Sequence, residues 1–453
     1  MKIKFLLRLR EFGTALAILA STTAPIFAQA GPSKNSATSP AAAHTETVVV
    51  FPFENVATDG QKDWLGEGLS ELTTDSMVGH GPVVFTRDER LAALEKLGLP
   101  TYSRFSRATM IKIAGEIDAD YVVFGEFTPD GANLHVSARV LRVSPPKLSE
   151  PFAESGTMDS IAETEARVSL RILCAIRSSL AAEAHCDANW PDLQQQVAKT
   201  VTHVRADSLE YFVRGLLAAD DETRLRDLRE ASRLDPMWDE PLVAIGKAFY
   251  ERRNCESAVG WFAKVSPANA HSADAGFYTG VCQLLRNDPV HAETTFAALL
   301  ARAGNGPVYP GIISNLGTAR LRQTRYKEAA GDFDHAQKID PGEPDYWFNL
   351  GLAQFLISDW AGSARALREV VRLQPDAEDA HALLVAALDR GGNTDEANAL
   401  RQGAASENAA DPPQQNIPHD PARPQMHDVT KMSVTSLAKL ARVRMGMSTE
   451  AGR

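Results

Sequence analysis

Cysteine is scarce in this sequence, and its few copies lack the spacing of a thiolate metal site. The 453 residues include 4 cysteines, none of which forms a C-x-x-C pair. This excludes a disulfide-dense scaffold and a thiolate zinc site. Disulfides between Cys174 and Cys186, or between Cys255 and Cys282, are chemically allowed outside the cytoplasm. Ordinary buried thiols are nevertheless the preferred interpretation.

Positive charge is also in short supply. The chain has 47 Lys and Arg against 58 Asp and Glu, which gives a formal net charge of −11. A broad surface for nucleic acid is therefore not expected. With 44% hydrophobic and 23% charged residues, the composition is that of a globular chain, long enough for two or three domains with their own cores.

Catalytic motifs are missing as well. The patterns G-x-S-x-G, H-E-x-x-H and the P-loop do not occur, and the 11 histidines are scattered. His185 beside Cys186 lacks the further donors that a metal ion would need. We therefore expect no catalytic residues, no cofactor and no metal. A hydrolase assembled from distant segments is the open alternative.

The first thirty residues have the pattern of a secretory signal peptide. Lys2, Lys4, Arg8 and Arg10 precede the apolar run Phe12–Ala20, and small residues stand at Ala28 and Ala30. The run is too short to span a bilayer, and no cysteine follows it for lipid attachment. We expect cleavage after Ala30 and a soluble, periplasmic protein. A retained amphipathic helix in a cytosolic protein is the alternative.

Residues 46–185 have the pattern of an α/β domain, which follows a Pro- and Ser-rich linker at 31–45. Short apolar strands at 48–51 and 83–85 alternate with helical periodicity, and two longer strands flank Pro129, Asp130 and Gly131 as a hairpin. Gly66 and Gly68 form a partial G-x-G pattern without a third glycine. We interpret them as packing residues inside a helix rather than as a nucleotide site.

These segments resemble a known family. VVVFPFEN, DWLGEGLSELTTD and DADYVVFGEFTPDGANLHVSARVLRV are similar to the amino-terminal domain of the TolB family over about residues 46–182. The resemblance implies a non-catalytic module that contacts other proteins. The β-propeller that follows this domain in TolB has no counterpart here, so partners carried by the propeller are not implied.

The second half of the chain repeats with a period of 34 residues. Leu316–Gly317 and Leu350–Gly351 are one period apart, and Ala258, Ala292 and Ala329 each precede a phenylalanine by four residues. This spacing resembles the tetratricopeptide repeat family. After a connector at 186–206, we therefore expect an all-α solenoid of five to six repeats over residues 207–405.

The resemblance also implies a binding surface on the first helix of each repeat. In the family, an asparagine two residues before the glycine often bonds the backbone of an extended peptide, and those positions here hold Asn315 and Asn349. The Lys and Arg clamp for a C-terminal carboxylate is missing, since the matching positions are Asp379 and Leu383. The other inner positions give an apolar floor with a cation at its edge. They hold Arg322, Phe348, Leu352 and Phe355.

Residues 406–453 are rich in proline and predict a disordered tail. Within it, Lys431–Met447 could form a short basic amphipathic helix for a membrane surface or an acidic partner, although a frayed end without function is preferred. Any membrane contact is expected to be peripheral and to use this tail.

The combined patterns predict a multidomain protein, an α/β domain followed by an all-α solenoid. The favoured function is a non-catalytic periplasmic scaffold that binds a protein or peptide on the concave face of the solenoid. The alternative is a sensor whose α/β domain binds a small molecule and signals through the repeats. A compact polar pocket at the carboxyl ends of the strands would favour the sensor.

Overall fold

The computed structural model describes most of the chain from residue 46 onward. The described residues are 46–57, 60–101, 104–178, 180, 204–269, 271–304, 308–410 and 441–444. The signal peptide (1–30), the linker (31–45), most of the connector (186–206) and Cys186 lie outside them. No helix within the described residues is long and apolar enough to cross a membrane.

Seven strands form one mixed sheet in the first part of the chain. In its centre β1 pairs in parallel with β3 and β4, and β4 forms a long antiparallel hairpin with β5. The strands are β1 (Thr47–Val50), β2 (Glu54–Asn55), β3 (Val83–Phe85), β4 (Tyr121–Asp130), β5 (Asn133–Arg142), β6 (Lys147–Leu148) and β7 (Phe152–Thr157). The hairpin turns at Gly131, whose φ of 59° suits glycine.

Two pairs of helices cover the two faces of this sheet. They are α1 (Trp64–Met77), α2 (Arg87–Lys96), α3 (Arg107–Glu116) and α4 (Ile161–Arg177). Val49 and Val122 pack with α2 and α3, whereas Val48, Val50 and Val123 pack with α1 and α4. Alternate residues of one strand thus serve opposite cores, as the pleat requires.

The partial glycine pattern lies inside α1, as the sequence predicts. A Cβ atom on Gly66 would stand 2.1 Å from the carbonyl oxygen of Phe53, and one on Gly68 would stand 3.3 Å from Val213. Gly66 therefore allows α1 to approach the chain that leaves β1. Both glycines serve packing, and the α/β architecture predicted for this part of the chain is present.

Six helix hairpins follow between residues 206 and 410. Their helices are α5 (Ala206–Leu217), α6 (Asp221–Leu234), α7 (Glu240–Glu251), α8 (Cys255–Phe262), α9 (Ser272–Leu285), α10 (Pro289–Ala303), α11 (Pro310–Arg322), α12 (Tyr326–Ile339), α13 (Pro344–Leu356), α14 (Trp360–Leu373), α15 (Glu378–Arg390) and α16 (Thr394–Ala410). Each helix packs against its neighbours in sequence, which is the stacking of an α-solenoid.

The repeating glycine and phenylalanine meet inside the second, third and fourth hairpins. A Cβ atom on Gly246 would lie 2.3 Å from the Phe262 ring, and one on Gly280 would lie 2.6 Å from the Phe296 ring. The aromatic ring therefore fills the space that the missing side chain leaves, and the two helices approach closely. This contact explains why the sequence repeats these residue types at a fixed spacing.

One disulfide joins the second and third hairpins. Cys255 at the start of α8 bonds to Cys282 of α9, with their Cα atoms 5.2 Å apart. The preference for buried thiols at this pair was therefore wrong, because the stacking of α9 against α8 brings the two sulfur atoms together.

The solenoid and the α/β part share one apolar core. Leu209, Phe212 and Val213 of α5 belong to the same buried cluster as α1 and α4. Two polar contacts add to it: Arg87 donates to the Leu216 carbonyl at 3.2 Å, and Lys247 pairs with Asp88 at 3.1 Å. These contacts fix the first two hairpins against the sheet.

The tail departs from its prediction at both places where the structure describes it. Residues 406–410 continue α16 as helix rather than starting a disordered tail. Residues 441–444 belong to neither a helix nor a strand, and Ala441 and Arg442 are buried. The basic helix and the frayed end are therefore both wrong for these four residues, since the solenoid pairs the backbone of Arg442 and Arg444.

A carboxyl group lies in the core between α1 and α4. Glu165 is 1% exposed and accepts hydrogen bonds from Ser169 and, at 2.9 Å, from Ser76. Burial raises the pKa of Glu165 from 4.5 to about 7, although these hydroxyl groups oppose the shift. The folded protein is therefore destabilised as pH rises through this range, because ionising Glu165 costs more when it is buried.

We expect Glu165→Gln to remove this loss. When the pH rises from 4.5 to 8, the free energy of unfolding of the variant minus that of the wild type should increase by up to about 3 kcal/mol. Urea titrations at the two pH values measure the difference. Glu163→Gln, an exposed position of α4, is the control for loss of one carboxylate. A constant difference across this pH range would contradict the assignment.

Candidate functional site

The inner face of the last three hairpins holds a segment from the far end of the chain. Residues 441–444 lie against the first helices α11, α13 and α15 of these hairpins, and we call this surface the groove. Asn315 on α11 and Asn349 on α13 lie on it, and both side chains are fully buried.

Each asparagine pairs with the backbone of one tail residue in both directions. Asn349 donates to the Arg442 carbonyl at 2.8 Å and accepts from the Arg442 amide at 2.7 Å. Asn315 does the same with Arg444, at 2.9 Å and 2.8 Å. A carboxamide used this way imitates the peptide group of a neighbouring strand. The groove therefore holds a backbone at two points one repeat apart.

The Arg442 side chain enters a pocket with two carboxylates. Its guanidinium pairs with Asp345 at 2.7 Å and with Asp379 at 2.8 Å, and it lies 4.1 Å from the centre of the Phe348 ring. The residue is only 8% exposed. Charge-assisted hydrogen bonds to two carboxylates and the contact with the Phe348 ring offset the cost of removing the guanidinium from water.

Arg444 is held by a second acidic contact. It pairs with Glu343, and its Nε atom donates to the Tyr309 hydroxyl at 2.9 Å. Burial alone would lower the pKa of Arg444, but Tyr309 and Glu343 outweigh it and raise that pKa. Burial raises the pKa of Glu343, and Arg444 opposes that shift. The pair is thus a partly buried ion pair whose members favour each other's charge.

Three of the six predicted site residues contact Arg442 or Arg444 of the tail. They are Asn315, Asn349 and Phe348. Leu352 and Phe355 belong to the apolar cluster that also contains Phe348 and Ala441, and Phe355 packs edge-on against Trp360. Arg322 donates to the Leu284 carbonyl of α9 at 2.6 Å, and this contact belongs to the stacking of hairpins. Binding of a partner by these residues stays a prediction.

The acidic residues of the groove were not predicted as site residues. In the sequence, Asp379 shows only that the Lys and Arg clamp for a C-terminal carboxylate is missing. An acidic residue at that position also favours a cationic ligand. Glu343 and Asp345 stand at the start of α13, where acidic residues are common for reasons of helix stability. Their role depends on arginines about a hundred residues away, which periodicity does not reveal.

A different acidic cluster lies where α1 meets the solenoid. Donor atoms of Asp75, Glu240 and His271 lie within 4.8 Å of one another. Both ring nitrogens of His271 are engaged, with Asp75 at 2.8 Å and Asp274 at 3.2 Å. Burial opposes the charge on His271, but these carboxylates raise its pKa well above 6.5. Because both ring nitrogens already pair with carboxylates, we interpret the cluster as an ion-pair link.

The α/β part contains a small cavity beyond the end of β1. It has a volume of about 130 Å³, and its lining includes Phe53, Glu67, Arg87, Phe105 and Leu217. Arg87 pairs with Glu67 at 2.7 Å. Because Leu217 belongs to α5, the wall of the cavity includes the first hairpin of the solenoid.

A family comparison agrees with the helical architecture. Residues 314–364, which contain both groove asparagines, match the family model described as tetratricopeptide repeat. Over these residues the chain matches the tetratricopeptide repeat, and the helix hairpins on either side of them stack in the same way. Such arrays are protein-interaction scaffolds with extended binding surfaces. No curated protein matches the chain, and the TolB resemblance of residues 46–182 stays a prediction.

Several solved structures are similar to parts of the chain. YrrB, described as a TPR protein with an unusual peptide-binding site, is 16% identical over 40% of this chain and 93% of its own, with a TM-score of 0.36. MamA from Desulfovibrio magneticus RS-1 is 18% identical over 38% and 97%, with a TM-score of 0.36. The LpoB C-terminal domain from Salmonella enterica is 14% identical over 26% and 87%, with a TM-score of 0.23.

The contacts of the tail predict its protection from protease. Trypsin should cut slowly after Arg442 in the wild type, because the side chain is buried and the backbone is paired. Asn349→Ala removes two hydrogen bonds of about 1 kcal/mol each, so cleavage there should become roughly thirty-fold faster. Mass spectrometry of a digestion time course measures the rate.

The same substitution at Asn398, an exposed residue of α16, is the control and should leave the rate unchanged. Equal cleavage after Arg442 in the wild type and in Asn349→Ala would show that the tail does not occupy the groove in solution.

Proposed function

We propose that this protein is an exported, non-catalytic scaffold whose tetratricopeptide groove holds an extended segment of a partner protein. The observation that carries the proposal is the pairing of Asn315 and Asn349 with a polypeptide backbone in both directions. These bonds involve atoms that every residue except proline possesses. The same two amides can therefore hold a segment from another chain.

The surroundings of the asparagines support a binding role over a purely structural one. With the tail in place both amides are fully buried, and a bound segment that left them without partners would cost about 1–3 kcal/mol. The groove therefore favours any peptide that supplies the missing donor and acceptor. Glu343, Asp345 and Asp379 add negative charge along its length, which suits a basic segment.

Two observations support export. The first thirty residues have the charged, apolar and small-residue order of a signal peptide. The Cys255–Cys282 disulfide would persist in the periplasm, whereas the cytoplasm keeps most thiols reduced. Together they favour a periplasmic location. In the periplasm, the partners that bind the acidic groove would be proteins of the cell envelope.

Affinity capture from envelope extracts tests the binding role. We expect the full chain to recover a set of proteins that the double variant Asn315→Ala and Asn349→Ala recovers at least about ten-fold less, because each substitution removes two backbone contacts. Quantitative mass spectrometry compares the recoveries. Asn398→Ala is the matched control and should behave as wild type. If the double variant is folded and its recovery is unchanged, the groove is not the binding surface.

The second candidate function is the small-ligand sensor, and the cavity beyond β1 favours it. The cavity lies at the carboxyl end of a central parallel strand, where α/β sheets commonly bind ligands. Leu217 of α5 forms part of its wall. A ligand in the cavity would contact both the sheet and the first hairpin, and this is the contact that a signal to the repeats would require.

A thermal-shift screen of the full chain with small metabolites tests the sensor. A ligand at a hundred times its dissociation constant should raise the melting temperature by about 2 °C, since it binds the folded state alone. Thr101→Trp places a bulky group at the exposed edge of the cavity and should abolish the shift, whereas Thr101→Ala should keep it. A shift that survives Thr101→Trp would place the ligand elsewhere.

A further inference from the structure

We propose that the groove selects extended segments with two arginines separated by one residue, and that the chain's own Arg442 and Arg444 occupy it as an intramolecular ligand. A partner with the same spacing must displace them. This inference rests on the proposed peptide-binding function, and it adds the chemistry of the ligand and the way access is controlled.

The two asparagines set the spacing of the ligand. Asn349 and Asn315 are one repeat apart, and they hold residues 442 and 444. Successive side chains of an extended backbone point in opposite directions, so residues two apart point the same way. The backbone bonds therefore fix which two side chains meet the acidic residues of the groove.

The first position is built for arginine rather than for lysine. Asp345 and Asp379 bind two different nitrogens of the Arg442 guanidinium, and Phe348 lies beneath its plane at 4.1 Å. A planar fork can meet two carboxylates and an aromatic face at once, whereas an ammonium is a compact point charge with a tightly bound water shell. A lysine here would lose part of each contact.

The second position has its own requirements. Arg444 pairs with Glu343 and donates to Tyr309, and its Cγ atom passes close to Gly311. A Cβ atom on Gly311 would lie 3.0 Å from that carbon and 2.4 Å from the Tyr309 ring. A residue with a side chain at 311 would therefore displace both the arginine and the tyrosine that binds it.

The alternate residues of the segment face apolar surroundings. Ala441 is 5% exposed and belongs to the apolar cluster of the last three hairpins, and Val443 packs against the cluster of α9, α10 and α11. The preferred ligand therefore alternates small apolar residues with arginines. Its charge complements the three acidic residues of the groove.

The chain can supply this ligand to itself. Residues 411–440 lie between the end of α16 and the seated segment, and thirty residues can span up to about 100 Å. A tethered ligand acts at an effective concentration near the millimolar range. A partner present at lower concentration must therefore bind more tightly, or the tail must first be held elsewhere.

Peptide binding to the full chain tests both parts of this inference. The probe is a fluorescent peptide with the sequence of residues 438–447, and its anisotropy reports binding. The variant that we call the released variant carries Arg442→Glu and Arg444→Glu. These substitutions make the acidic groove repel the tail, and they change no residue of the groove. We expect this variant to bind the probe at least about ten-fold more tightly than the wild type does, because its own tail no longer competes.

A second peptide with lysine at both arginine positions tests selectivity. It should bind the released variant about ten-fold more weakly than the arginine peptide, since it loses the two-sided contact at Arg442. Asp379→Asn in the released variant should weaken the arginine peptide and affect the lysine peptide less. This double comparison keeps the test informative if one substitution alone perturbs the groove.

The possible failures can be told apart. Equal binding of the two peptides, abolished by Asn315→Ala with Asn349→Ala, would overturn arginine selection and leave the peptide-binding function standing. Equal binding of the probe by wild type and released variant would overturn intramolecular occupancy alone. Failure of the folded released variant to bind either peptide would overturn the inference together with the proposed function.

Discussion

The groove depends on a simple constraint, which is that a buried carboxamide needs hydrogen-bond partners. Asn315 and Asn349 have no exposed surface, so water does not satisfy them in this structure. Their four bonds to the backbone of Arg442 and Arg444 remove the cost of burying both amides. The acidic residues, the Phe348 ring and the apolar contacts of Ala441 and Val443 are all placed around that backbone.

The packing of the repeats holds the two asparagines at the distance that one backbone requires. In the second, third and fourth hairpins the two helices approach closely because a glycine faces a ring, as at Gly280 and Phe296. In the hairpin of α13 and α14, Leu367 takes the place of the ring against Gly351. The first helices therefore stack with a regular spacing, and equivalent positions on them fall in a row. A binding surface of this kind is rigid because its residues are on helices rather than on loops.

The α/β part and the solenoid are mechanically joined at their contact. The first hairpin contributes Leu209, Phe212 and Val213 to the core beneath the sheet, and the ion pairs of Lys247 with Asp88 and of His271 with Asp75 lie at the same contact. A structural change in the sheet would therefore act directly on the first three hairpins. The groove, however, lies on the last three hairpins. Coupling between the two would have to pass through the stacked hairpins, including the pair linked by the Cys255–Cys282 disulfide.

The sequence by itself determined the architecture. Apolar runs, turn residues and the period of 34 predict the sheet and the hairpins, because each depends on residues close together in the chain. The positions of the two asparagines follow only from the resemblance to the tetratricopeptide repeat family. Strand β7 escaped prediction because only Phe152 among its residues is a large apolar side chain. Tertiary structure alone decided that Phe355 and Leu352 face the core, that Cys255 meets Cys282, and that the tail lies in the groove. These outcomes depend on which face of a helix packs against its neighbours and on contacts between residues far apart in the sequence. Arg444 and Tyr309, for example, are separated by 135 positions. A local sequence pattern carries no information about contacts at such separations.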